Sequence, residues 1–195
     1  IKYGTHDADT EGSILQSEPF LEIEITKGAL NEKIKTQLVG DYNFPNVLAA
    51  VCIGIYFKIP GEKIKSAIES YAPSNSRSQL VERGTNKIIL DAYNANPSSM
   101  KLAIENFAKL HAENKILMLG GMAELGEESL QEHQLIIDLI KQYQWKEVVL
   151  VGGDFLKLDH PFIQFTDSTQ AKEWLARQQH QNVFYLIKGS RSMQM

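Results

Sequence analysis

The sequence has almost no cysteine, no surplus of positive charge and no long apolar run, and each shortage removes a class of protein. One cysteine, Cys52, cannot close an intrachain disulfide. Among apolar neighbours it reads as a packing residue in a reducing compartment, with a reactive thiol the lesser reading. A net charge of -4 argues against a surface for polyanions, so nucleic acid is not the expected partner. The longest apolar run, "VLAAVCIGIYF", falls short of the ~18 residues of a membrane-crossing helix and reads as a buried helix. No membrane partner is expected. The chain begins at Ile1 without an initiator methionine or a basic-then-apolar leader, so no secretory signal is visible and an excised fragment is expected.

Familiar catalytic and phosphate-binding patterns are missing too. There is no G-x-x-x-x-G-K-[ST], no G-x-S-x-G and no G-x-G-x-x-G, so any phosphate-cradling loop must lie elsewhere. His6, His111, His133, His160 and His180 show no paired ligand spacing and read as surface or packing residues. Glu124, Glu127 and Glu128 sit where a helix macrodipole favours acid, and no metal is assigned to them.

What is present is a chain of 195 residues, 43% apolar, long enough to bury a core. The first forty residues carry short β-like runs, "SILQ", "FLEIEI" and "KIKTQLVG", which predict a small antiparallel region. A helix follows from the Asn43–Asn46 turn, and a second opens at Pro60 and Gly61; the two are expected to pack as a hairpin. "PSNSRS", residues 73–78, has no periodic apolar positions and ends both patterns, which sets the domain division at 1–76 and 77–195. Beyond it strand, loop and helix alternate: "KIILDAY", "PSSMKLAIENFAKLHA", "KILMLGG", "ESLQEHQLIIDLIKQY", "EVVLVGG", "FIQF", "STQAKEWLARQQ" and "VFYLIKG". Such alternation predicts an α/β fold, a Rossmann-like, mainly parallel sheet with helices on both faces.

In such a sheet ligands bind beyond the carboxyl ends of the strands, and the polar clusters fall there. Asn96–Pro97 is explained by helix capping alone. Asp91 at a strand end could accept two ribose hydroxyls or serve as a turn carboxylate, and Tyr93 could stack on a base or cover the core edge. "KGSR", residues 188–191, combines cations, a hydroxyl and a glycine: an anion receptor, or a solvated basic turn.

Taken together, "DAYNANPSSM", "LGGMAELGEESLQEH" and "IKGSRSMQM", in this order, resemble the C-terminal domain of the Mur ligases, on the branch that adds D-alanyl-D-alanine. "GDYNFPNVLAA" resembles that family's G-x-H-N-x-x-N-x-x-A-A segment at the end of a central ATPase domain, with Tyr42 where histidine is usual. The resemblance implies a cytoplasmic, monomeric peptide ligase of peptidoglycan synthesis. It uses ATP and Mg2+ and takes UDP-N-acetylmuramoyl-tripeptide and D-alanyl-D-alanine as substrates, through an acyl phosphate. Residue by residue, it implies Asn43 near the adenine, Arg77 at the terminal phosphates, Asp91 on the ribose, and Tyr93 and Asn94 lining the same cleft. Lys188, Ser190 and Arg191 are implied to hold the dipeptide or the phosphate end. No catalytic residue is assigned within the chain. The phosphate loop, the magnesium ligands and a modified lysine are expected upstream of Ile1, so the piece is not expected to catalyse alone. A non-catalytic nucleotide-binding module and a folate-type glutamyl ligase are the competing readings.

Overall fold

Glutamate and isoleucine alternate in Glu22–Lys27, and a period of two puts both isoleucines on one face of a strand. The computed structural model describes residues 1–28 and 30–195, and in it Ile23 and Ile25 are fully buried. That strand, β3, is the middle of an antiparallel trio with β2 (Thr10–Gln16) and β4 (Lys33–Lys35); β1 (Tyr3–Gly4) pairs parallel to β2 at the edge. The expected third β run is thus a strand only over its first residues. Thr36 then turns the chain, donating its hydroxyl to Leu21 O at 2.8 Å. Two helices, α1 (Phe44–Tyr56) and α2 (Gly61–Ser70), pack together as the apolar spacing predicts. Their core sets Phe44, Val47, Leu48, Val51 and Ile64 against Leu21, Ile23, Ile25 and Ile34. Cys52 is buried, as its neighbours suggest.

The chain divides into two units, Ile1–Pro73 and Ser74–Met195. The second holds a six-stranded sheet in the order β5-β6-β10-β7-β8-β9. Its strands are β5 (Gln79–Arg83), β6 (Asn86–Asp91), β7 (Lys115–Gly120), β8 (Glu147–Val151), β9 (Ile163–Phe165) and β10 (Phe184–Lys188). All neighbours run parallel except β5, which is antiparallel to β6. This edge strand was not anticipated: "QLVER" follows a loop-like stretch and is only half buried, so it carries no apolar run to betray it.

Helices α3 (Pro97–Lys109), α4 (Ser129–Ile140) and α5 (Ser168–Arg177) connect the strands. Asn96 caps α3 by accepting the Ser99 amide at 2.8 Å, with Pro97 at the first helical position. Residues Ile116, Met118, Val149 and Val151 pack with Ala171 and Trp174 of α5, while the alternating Leu117, Leu119 and Leu150 are buried from the other side of the sheet. No helix among the described residues is long and apolar enough to cross a membrane.

Candidate functional site

A parallel sheet brings the carboxyl ends of its strands to one rim. Asp91 ends β6, Lys188 ends β10 and Gly120 ends β7, and the pairing register sets Lys188 opposite Asp91 on one side and Leu119 on the other. The carboxyl ends of β6, β10, β7 and β8 therefore share one edge, with Gly152 following β8.

The centre of that edge is a buried ion pair. Lys188 is 2% exposed, and its Nζ donates to Asp91 Oδ2 at 2.6 Å and to the carbonyl of Asn94 at 3.4 Å. The other carboxylate oxygen, Oδ1, accepts the backbone N–H of Ser78 at 3.0 Å. Lys188 is thus not a free cation reaching into solvent, as a basic turn would suggest. It is a counter-ion fixed on Asp91, and the two readings of Asp91 now overlap, because the same carboxylate holds the start of β5 in place.

Ser190 is 1% exposed and joins three loops. Its Oγ accepts the Ala123 N–H at 2.7 Å and donates to the Ala95 carbonyl at 3.4 Å, while its own N–H donates to Gly121 O at 3.2 Å. Arg191, next in the chain, is exposed and opens a short helical turn, Arg191–Met193. The backbones are packed so closely here that glycine is required: a Cβ on Gly121 would stand 2.7 Å from Gly153 Cα, and Gly153 itself has φ +61°.

Tyr93 and Asn94 are exposed on the turn after β6. The Arg77 guanidinium lies over the Tyr93 ring, 3.9 Å from its centroid, and the Tyr93 N–H donates to Ser76 O at 3.2 Å. Arg77, Asp91, Tyr93, Asn94, Lys188, Ser190 and Arg191 all belong to the second unit. Asn43 belongs to the first, where it is buried and its amide is engaged: Nδ2 donates to Val39 O at 2.9 Å and Oδ1 accepts from Asn46 at 3.2 Å.

The setting of His133 on the rim escaped the sequence reading, whereas Asp154 lies in the "GGD" strand end that the reading placed there. His133, one turn into α4, is fully buried; its Nδ1 lies 2.6 Å from the Ser129 carbonyl and its Nε2 accepts the Met122 N–H at 3.0 Å. Asp154, past β8, is held below the usual carboxylate range chiefly by Lys157 at 2.7 Å, with the Ser129 hydroxyl adding to the effect. Among the described residues no three acidic, histidine or cysteine side chains gather as a metal site.

Residues 76–191 match the family described as "Mur ligase, glutamate ligase domain". The chain is 29% identical over 169 residues to the UDP-N-acetylmuramoyl-tripeptide–D-alanyl-D-alanine ligase of Treponema pallidum, covering 82% of this chain and 37% of that protein. Among solved structures, MurF of Acinetobacter baumannii superposes with a TM-score of 0.85 at 22% identity, over 98% of this chain and 44% of that one. The MurF ligase of Thermotoga maritima in complex with ADP gives 0.81 at 19% identity, over 98% and 45%. The chain thus spans less than half the length of each.

Proposed function

The chain belongs to the Mur ligase family, and from that premise we propose that it serves in a cytoplasmic, ATP-dependent ligase of peptidoglycan synthesis. The ligase joins D-alanyl-D-alanine to UDP-N-acetylmuramoyl-tripeptide. One observation supports this reading above the rest: the Asp91 turn and the Lys188–Arg191 turn, 97 residues apart in sequence, are one hydrogen-bonded unit at the rim of the sheet.

The residues present suit a nucleotide. Asp91 accepts one hydrogen bond on each oxygen, from Ser78 and Lys188, and an ionised carboxylate has room for more. Its remaining lone pairs are the proposed acceptors for ribose hydroxyls. Arg77, exposed and stacked on Tyr93, is the proposed phosphate ligand, with the exposed face of Tyr93 and Asn94 beside it. For Asn43, in the first unit and bonded to Val39 and Asn46, the proposed adenine contact rests on the family likeness alone. When bound, ATP supplies the phosphoryl group that makes the tripeptide carboxylate electrophilic. A magnesium ion does not fit any cluster of the described residues, and its ligands are assigned to no residue of this chain.

Arg191 is the proposed grip on the dipeptide carboxylate, because a guanidinium can take a carboxylate with two parallel bonds. Ser190 and Lys188, both buried, set the turn that presents it. The dipeptide amine then attacks the activated carbonyl carbon. The amide C–N bond forms as the C–O bond to phosphate breaks, and the amine gives up one proton.

Phosphate release by the full-length enzyme tests the reading. Release is expected only when ATP, UDP-N-acetylmuramoyl-tripeptide and D-alanyl-D-alanine are all present. Release with glutamate in place of the dipeptide would overturn it in favour of a glutamyl ligase, and nucleotide binding without any release would favour a non-catalytic module.

A further inference from the structure

His133 offers the rim a hydrogen-bond acceptor that no other side chain there supplies to the same amide. A carbonyl oxygen can only accept and a backbone N–H can only donate. With Nδ1 at 2.6 Å from Ser129 O and Nε2 at 3.0 Å from Met122 N, the hydrogen therefore sits on Nδ1 and Nε2 is bare. The imidazole is neutral and held in one tautomer. The Phe155 ring stands edge-on to it, with centroids 4.6 Å apart, and His133 has no exposed surface. Its orientation is fixed from both the helix and the loop after β8.

What it holds matters more than how it is held. Met122 is buried, and its N–H lies in the turn after β7, where the sheet ladder has ended. The next residue, Ala123, donates its N–H to Ser190 Oγ at 2.7 Å, and Ser190 in turn reaches Ala95 at 3.4 Å. One chain of bonds thus runs from His133 through the 122–123 backbone to Ser190, the neighbour of Arg191. The Gly120–Gly121 backbone cannot hold this turn by side-chain packing, since it has none to offer.

We infer that His133 is a positioning residue: its bare Nε2 fixes the Met122–Ala123 turn and thereby sets Ser190 and Arg191 for the amine substrate. It touches neither substrate nor nucleotide in this role. The inference rests on the ligase reading above for its kinetic consequence, though not for its structural one.

The test uses the full-length enzyme with His133→Leu, His133→Gln and His133→Asn, followed by steady-state phosphate release and by hydrogen exchange at the Met122 amide. Leucine removes the acceptor. Glutamine carries an oxygen that reaches the place of Nε2, whereas asparagine reaches only the place of Nδ1. For His133→Leu the KM for D-alanyl-D-alanine is expected to rise at least roughly tenfold, with kcat within about threefold and the KM for ATP within about twofold of the parent. His133→Gln is expected to recover the dipeptide KM and the slow Met122 exchange, and His133→Asn to recover neither. If His133→Leu does not fold, the glutamine and asparagine pair decides alone. Equal behaviour of that pair, an ATP KM that rises as much as the dipeptide KM, or unchanged Met122 exchange in the variants lacking the acceptor would overturn the inference. A parent enzyme with no dipeptide-dependent release would sink the ligase reading instead, and the exchange measurement would still decide whether His133 holds the turn.

Discussion

Lys188 and Asp91 face each other across β10 and β6, and the ammonium meets the carboxylate at 2.6 Å with both side chains largely out of solvent. Removing one member of such a pair strands the other charge in a poorly solvated place, at a cost of about 3–5 kcal/mol. Lys188→Met and Asp91→Asn are each expected to lower stability by that order. The double variant should lose clearly less than the sum, because no charge is left behind. Urea unfolding of the four proteins measures the coupling. Additive losses would mean that the pair is not an energetic unit.

Arg191 differs from its buried neighbours in being exposed, so a change there can alter recognition without unsettling the rim. Arg191→Lys keeps the charge and removes the planar fork. In the full-length ligase it is expected to reduce kcat/KM for D-alanyl-D-alanine at least tenfold, about 1.4 kcal/mol, with the KM for ATP nearly unchanged. Varying each substrate in turn provides the answer. A larger effect on ATP than on the dipeptide would assign this turn to the nucleotide.

Gly121 and Gly153 bring the loops after β7 and β8 into backbone contact. Gly121→Ala would place a methyl 2.7 Å from Gly153 Cα, and both sides of that contact are main chain, so neither can swing aside. The expected cost is ~1–3 kcal/mol, of the size found for overpacked sites. Thermal unfolding checks it, with Gly4→Ala, where nothing stands within 4 Å and φ is not positive, as the control without a close approach. Equal losses at Gly121 and Gly4 would show that the close approach to Gly153 does not set the requirement.

At the amino ends of the strands a second polar cluster stands apart from the rim. Tyr185 is 4% exposed; its hydroxyl lies 2.8 Å from His180 Nδ1, and His180 Nε2 is 3.6 Å from Glu147 Oε1. Burial, aided by the Glu147 charge, pushes the phenol up from 10.0 to about 12. A raised pKa favours the folded state fully below the unfolded value and loses that contribution as pH climbs from 10 through about 12. The amount at stake is on the order of 2–3 kcal/mol. Unfolding midpoints across this alkaline window should fall more steeply for the parent than for Tyr185→Phe. Parallel slopes would show that this phenol ionises as easily folded as unfolded.

Local pattern carried much of the fold. The apolar periods of "KILMLG" and "EVVLV" needed no partner to be read as buried strands, and Asn96–Pro97 announced the start of α3 through its own capping chemistry. What escaped the sequence depends on distant partners. Lys188 looks like a surface cation until β6 is placed beside β10. His133 looks like one more scattered histidine until the turn after β7 folds onto α4. Half-buried β5 is decided by pairing with β6 rather than by its own five residues.

The last strand of the sheet in sequence lies at its centre. Until β10 enters, β6 and β7 leave an open slot between them, each with a row of unpaired N–H and C=O groups. During synthesis the chain emerges amino end first, so everything through α5 has left the ribosome before the piece that joins the halves is available. The closing contact spans 97 residues, and such non-local pairings form slowly because loop closure precedes any gain from contact. A released chain truncated just before Phe184 should therefore be protease-sensitive and prone to capture by a foreign strand. A released chain that carries β10 should be resistant and unfold in one cooperative step, and equal protease sensitivity of the two chains would show that β10 does not close the sheet.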